Sequence, residues 1–260
     1  MAYLSRILIY PVKSLDGISV QSIRMLKSGA LEGDRQFALV DSAGKFVNGK
    51  RFPAIHRLRG TFNATARLLQ ISIDGDGPAH CFHVDQQRDR LEQWLTEYFH
   101  FPVALTENTA AGFPDDTDSP GPTLISTATL HEVASWFAGI TPDSMRARFR
   151  ANLEFGGVDA FWEDRLYKTA GNPLNFRIGD VEFLGINPCQ RCVVPPRDPA
   201  TGANSPDFAK TFAARRQSTL PPWAERSRFN HFYRLAVNTI VPSTEVGKTL
   251  QVGDELTILA

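Results

Sequence analysis

Every apolar run in this chain is short. Apolar residues gather in stretches such as YLSRILIYPV (Tyr3 to Val12), DRQFALVDSAGKFV (Asp34 to Val47) and NFRIGDVEFLGI (Asn175 to Ile186), and proline, Ser-Ala-Gly or Gly-Asp interrupts each of them. Such runs fit strands and their turns, and none approaches the roughly 18 apolar residues of a membrane span. With 17 prolines and few helical patterns, the chain is expected to be mainly β with some α: a barrel-like β fold with a few peripheral helices.

The helical exceptions are distinct. Leu91, Trp94, Leu95, Tyr98 and Phe99 recur at i, i+3, i+4, i+7 and i+8, one face of a helix. A second helix follows a strand in LISTATLHEVASWF, capped near Ser126 or Thr127, with Leu130, Val133, Trp136 and Phe137 buried. Thr141-Pro142 starts a short helix through Met145. SPDFAKTFAARRQS gives another, with Ser205 as cap and Pro206 at its first position. ARLLQISIDGDG reads as a strand ending at an Asp-Gly turn, and LQVGDELTIL as strand ends about a Gly-Asp turn. Thr106 to Pro122, small, polar and rich in Gly and Pro, is expected to be a long exposed loop or linker.

Lys plus Arg equals Asp plus Glu, 28 each, which gives no bias toward a nucleic acid polymer or an acidic membrane; any anion site must be local. The N-terminus carries no cleavable leader pattern, and three scattered cysteines make a poor disulfide framework, so a cytoplasmic location is expected. Cys189 and Cys192 stand in NPCQRCVVPPRDPATG. Structural zinc needs about four ligands, and the other candidate, HCFH at His80 to His83, alternates like a strand. A thioredoxin-type pair opens a helix, whereas VVPP follows here. Two ordinary buried thiols remain open as an alternative.

Pro-Cys-x-Arg-Cys followed by Asp-Pro-x-Thr-Gly resembles the signature of the MOSC superfamily, the molybdenum cofactor sulfurase C-terminal domain, and in particular its YcbX-like and mitochondrial amidoxime-reducing members. YPVKSLDG, GDRQFALVD, KFVNGKRFP, FRANLEF, IGDVEF and VGDEL agree in the same order, almost from end to end. The resemblance implies a β-rich N-terminal domain over 1–105, a linker or loop over 106–122 and a MOSC β-barrel over 123–260. It also implies the molybdenum cofactor, Mo-molybdopterin, with Cys192 as the metal ligand; thiolate suits a soft metal-dithiolene centre. Lys13, Ser14, Arg35, Arg150, Asn152 and Arg191 become cofactor-binding candidates, since the pterin ends in a phosphate. Ser126, where a strand meets a helix, joins them, although capping alone would explain it. Asp198 either relays protons or makes an Asx turn before Pro199.

The reaction so implied is the reduction of N-hydroxylated small molecules (amidoximes, N-hydroxy bases, hydroxylamines) by removal of oxygen at molybdenum. Three cysteines cannot hold a four-cysteine iron-sulfur cluster, and DGDGP is no dinucleotide fingerprint, so an external donor, a ferredoxin or flavin reductase, is implied. A non-catalytic cofactor carrier and a sulfur-transfer or thiol-redox protein are the alternatives. The chain departs from its relatives at Ala151 in FRAN, at Asn48 to Arg51, and at Pro195-Pro196, where Thr-Thr is common.

Overall fold

The computed structural model describes residues 1–74 and 77–259. In chain order its elements are β1 (Tyr3–Ile9), β2 (Ile18–Val20), β3 (Ser22–Arg24), β4 (Phe37–Asp41), β5 (Leu58–Asn63), β6 (Leu68–Ile73), β7 (His80–His83), α1 (Arg88–Phe99), β8 (Val103–Glu107) and β9 (Leu124–Ser126). They continue with α2 (Thr127–Ser135), α3 (Pro142–Phe149), β10 (Leu153–Gly156), β11 (Leu174–Ile178), β12 (Val181–Gln190), α4 (Phe208–Ser218), β13 (Arg234–Ile240), β14 (Thr249–Gln251) and β15 (Leu256–Ile258). The protein is mainly β with peripheral helices, as its short apolar runs require. The Asp-Gly turn expected after β6 falls partly outside the described residues.

The largest sheet has the order β15-β11-β12-β13-β9-β10-β1-β2. Its pairs are antiparallel except β9 with β10, whose connection carries α2 and α3. The sheet closes on itself. Tyr3 bridges Glu255, the Leu4 amide donates to the Asp254 carbonyl at 2.8 Å, and the Leu256 amide to the Ala2 carbonyl at 2.9 Å. Inside this barrel Ile7, Phe155, Phe176, Phe183 and Val237 form a core of inward-facing strand positions. Thus β1 and β2, which precede the expected linker in sequence, belong to the sheet formed chiefly by the segment after it.

A second core lies between β4–β8, β5–β6–β7 and α1, which buries Leu91, Leu95 and Phe99 and half-buries Trp94 and Tyr98. A third lies outside the barrel, where Leu130 and Val133 of α2, Met145 and Phe149 of α3, and Phe208 and Phe212 of α4 meet. Arg216 joins it to the barrel core. Fully buried, its guanidinium lies 4.3 Å from the Phe161 ring centroid and 5.1 Å from that of Phe229, and pairs with Asp164. The Tyr167 hydroxyl donates to the same Asp164 at 2.9 Å, and Glu163 accepts from Thr129 at 3.0 Å.

Three local expectations change. The α3 helix runs one turn past Met145 because Phe149 continues its buried face. The α4 helix begins at Phe208, after Asp207, and Ser205 does not cap it: the Ser205 amide donates instead to the Pro196 carbonyl at 2.9 Å, tying down the preceding loop. The segment after β8 is irregular but is no free, exposed linker. Its Phe113 amide donates to the Arg35 carbonyl, Asp116 accepts from Asn238 at 2.9 Å, and the Pro122 carbonyl accepts from Thr239 at 2.7 Å. Gly112 permits that path. Its φ is +64°, and a Cβ there would meet the Asp34 carbonyl oxygen at 2.4 Å.

Candidate active site

A cavity of about 960 Å³ opens where the barrel, α3, the crossing segment and the β4 region meet. Ten Lys and Arg residues line it against five Asp, so the charge-neutral chain concentrates its positive charge here. Lys13, Ser14, Arg35, Arg150, Asn152, Arg191 and Cys192, all named from sequence, face this one space.

The arms of the site come from three places. YPVKS follows β1, and Lys13 is 6% exposed. Its Nζ donates to the Phe113 carbonyl at 2.8 Å and to Asp115 Oδ1 at 2.7 Å. Burial pulls the Lys13 amine below its ordinary range, and Asp115 only partly restores it. Burial pushes Asp115 up, but Lys13 and Arg35 outweigh it and hold the carboxyl far below the usual range. Ser14 follows with a φ of 72°, in the left-handed region. Arg35, in the turn before β4, pairs with Asp34 and reaches Asn152 Oδ1 at 3.4 Å.

The second arm is the end of α3. Arg150 takes the left-handed conformation as its C-cap, φ 52°, which turns the side chain out of the helical row. Its guanidinium lies 4.0 Å from the Tyr10 ring centroid, and that of Arg35 lies 5.1 Å from the same ring. Arg150 has no carboxylate partner, and its Nη2 is buried without any acceptor among the described residues. Asn152 is largely committed to the scaffold. Its Nδ2 donates to the Leu8 carbonyl at 3.0 Å, and its Oδ1 accepts from Thr123 and Arg35. It orients Arg35.

The third arm is the end of β12. Arg191 Nη2 donates to the Phe149 carbonyl at 2.6 Å, Nη1 lies 3.1 Å from Cys189 Sγ, and Nε is buried and unpartnered. Cys189 and Cys192 are both free thiols, half-buried, at the cavity wall. Among the described residues, only Cys189 has a cation within hydrogen-bond distance of its sulfur. Cys81 is exposed on β7, and among the described residues no group of three or more His, Cys, Asp or Glu is arranged around a metal position. A metal at Cys192 would therefore bring its remaining ligands with it.

Two candidates lie elsewhere. Ser126 is fully buried, does not line the cavity, and accepts from the Thr129 amide at 3.0 Å: it is the N-cap of α2. Asp198 also stands off the cavity wall and makes the Asx turn. Its Oδ1 accepts from the Ala200 and Thr201 amides at 3.0 and 2.9 Å, and Oδ2 lies 3.6 Å from Arg148. Burial pushes its carboxyl up, but the Thr201 and Ala200 donors and Arg148 outweigh this and keep it below the usual range. It is thus poorly suited to carry a proton.

Sequence reasoning overlooked Tyr10, Asp115, His56, Arg148 and Arg234. Tyr10 opens the YPVKSLDG motif, whereas nothing in the composition of the segment after β8 marks Asp115. His56 has an unpartnered Nε2 at the cavity, and burial, then Arg150, Arg197 and Arg59, lower its pKa to about 4, so it is neutral at pH 7.

The family model for the MOSC N-terminal beta barrel domain matches residues 1–112, and that for the MOSC domain matches residues 123–257. The chain is 25% identical over 235 residues to a molybdenum cofactor sulfurase of Oryza sativa subsp. japonica, covering 73% of this chain but only 28% of that protein. It is 24% identical over 239 residues to mitochondrial amidoxime-reducing component 1 of Danio rerio, covering 77% of this chain and 70% of the relative. For mitochondrial amidoxime reducing component 2 of Bos taurus the figures are 24% over 240 residues, 76% and 67%. With the MOSC match spanning more than half of its length, the chain belongs to the MOSC family.

Proposed function

We propose that this protein is a molybdenum-cofactor-dependent oxidoreductase that removes oxygen from N-hydroxylated small molecules and takes its electrons from a separate donor protein, a ferredoxin or flavin reductase. The observation that carries this reading is the meeting, in one cation-lined cavity, of the free Cys192 thiol with the Arg150 guanidinium, whose Nη2 has no acceptor among the described residues. The amidoxime-reducing relatives support the substrate class.

The residues present fit such a cofactor. Deprotonated Cys192 Sγ is a soft ligand, and Arg150 Nη2 is a donor awaiting a phosphate oxygen. Lys13 and Arg35 would share their charge between the phosphate and Asp115 and Asp34, while Tyr10 keeps both guanidiniums in place. Arg191 would border the thiol through its free Nε. When bound, the cofactor would supply the two-electron step at molybdenum. Loss of a hydroxyl oxygen as water also consumes two protons. Asp115 is ionised and tied to Lys13, and His56 is neutral, so neither is a ready acid at pH 7.

Metal and pterin analysis of protein expressed in a cofactor-competent host tests the reading, and protein without molybdenum would sink it. Reduced viologen with hydroxylamine or an amidoxime then tests turnover; bound cofactor without turnover would make the protein a carrier. Cys192→Ala is expected to lose molybdenum and activity together while Cys189→Ala keeps both, and equal loss from the two would favour a thiol pair.

A further inference from the structure

We infer that Arg148 is a positioning residue for Cys192: its buried guanidinium holds the proline-rich loop that carries the thiol, where Pro195 and Pro196 offer no backbone N–H. The inference rests on the proposed role of Cys192 for its functional meaning. It rests on geometry for its content.

After β12 the chain has few donors of its own, because Pro195 and Pro196 contribute no N–H. The Arg197 amide donates to the Val194 carbonyl at 2.8 Å and the Asp198 amide to the Ala203 carbonyl at 2.7 Å, and between Pro195 and Arg197 the loop is fixed through its carbonyls. Arg148 Nη1 donates to the Pro195 carbonyl at 2.9 Å and to the Arg197 carbonyl at 2.7 Å, while the Ser205 amide takes the Pro196 carbonyl between them. Arg148 Nη2 lies 3.6 Å from Asp198 Oδ2, which locks the Asx turn at the loop's far end. The guanidinium is 5.4 Å from the Phe208 ring centroid, and the residue is 5% exposed.

Cys192 itself makes no hydrogen bond, by backbone or by thiol, among the described residues. It hangs between two anchors: the Arg191 amide on the Tyr233 carbonyl at 3.1 Å before it, and the Arg148 fork after it. Arg148 also stands two residues before Arg150 at the end of α3. One helix end therefore sets both the thiol loop and the guanidinium proposed to receive a phosphate. Asn152, by contrast, hydrogen-bonds to Leu8, Thr123 and Arg35 and to nothing in the loop among the described residues.

The test is iodoacetamide labelling of the full-length, cofactor-free protein, with rates for each cysteine read by peptide mass spectrometry. Cys189 serves as the internal standard and exposed Cys81 as the folding control. In Arg148→Met, Cys192 is expected to label about tenfold faster relative to Cys189, the scale of a lost hydrogen bond to a charged group. Cys81 is expected to stay unchanged, with Arg148→Lys intermediate. An unchanged ratio overturns the inference, and so does equal acceleration of all three thiols, which would make Arg148 a residue of general stability. If Arg148→Met does not fold, Arg148→Lys decides alone: a wild-type ratio there overturns it. Molybdenum content of the wild type is measured in parallel. Its absence would remove the proposed function, while the labelling ratio still decides the positioning role.

Discussion

Arg216 and Arg150 are both arginines stacked on aromatic rings, yet they sit in opposite electrical circumstances. Arg216 is enclosed between the barrel core and the helical core, and the Asp164 carboxylate balances its charge from within the protein. Arg150 stacks on Tyr10 with no carboxylate, at the wall of a cavity where cations outnumber anions two to one. Burying a charge is costly unless a partner is supplied. At Arg216 the fold supplies the partner; at Arg150 a ligand must.

The largest expected effect belongs to the enclosed cluster. Arg216→Met strands the Asp164 carboxylate in the core and should cost about 3–5 kcal/mol of unfolding free energy in urea, most of it recovered when Asp164→Leu is added. A wild-type midpoint for the single variant would erase the contrast. The next effect is a pH response. Burial, and then the neighbouring Asp164, push Glu163 from an ordinary 4.5 up to about 7. The folded protein keeps this proton where the unfolded chain has lost it. Its contribution is therefore full below pH 4.5 and declines by about 3 kcal/mol as pH rises through 7. Glu163→Gln should flatten that slope in unfolding curves taken from pH 4.5 to 8. The smallest stability effect, and the most telling, is at the open site. Arg150→Met should leave the urea midpoint unchanged or raise it, while lowering cofactor affinity by about 1.5–3 kcal/mol, tenfold or more, read as molybdenum retained after dialysis. Loss of stability without loss of metal would place Arg150 with Arg216.

The sequence made the strands and helices legible wherever a buried face repeats, as along Leu91, Leu95 and Phe99. It also marked seven residues of the cavity wall, because they lie in short ordered motifs. What it concealed depends on distant partners. Asp115 matters only because Lys13, about a hundred positions earlier, folds against it. Ser126 and Asp198 looked like site residues because caps and Asx turns use the same polar groups as catalysis, and only their surroundings tell the uses apart. Arg148 was invisible for the opposite reason: its partners are carbonyl oxygens, which no side-chain pattern advertises.

The closure of the barrel also orders the steps of folding. Tyr3–Ile9 pairs with Leu153–Gly156, and Ala2, Tyr3 and Leu4 bond to residues 253–256. Ile7–Ile9 find their β2 partners nearby in sequence, whereas Ala2–Leu4 join partners about 250 positions away, so this closure is of high contact order and is expected to be a late step of folding.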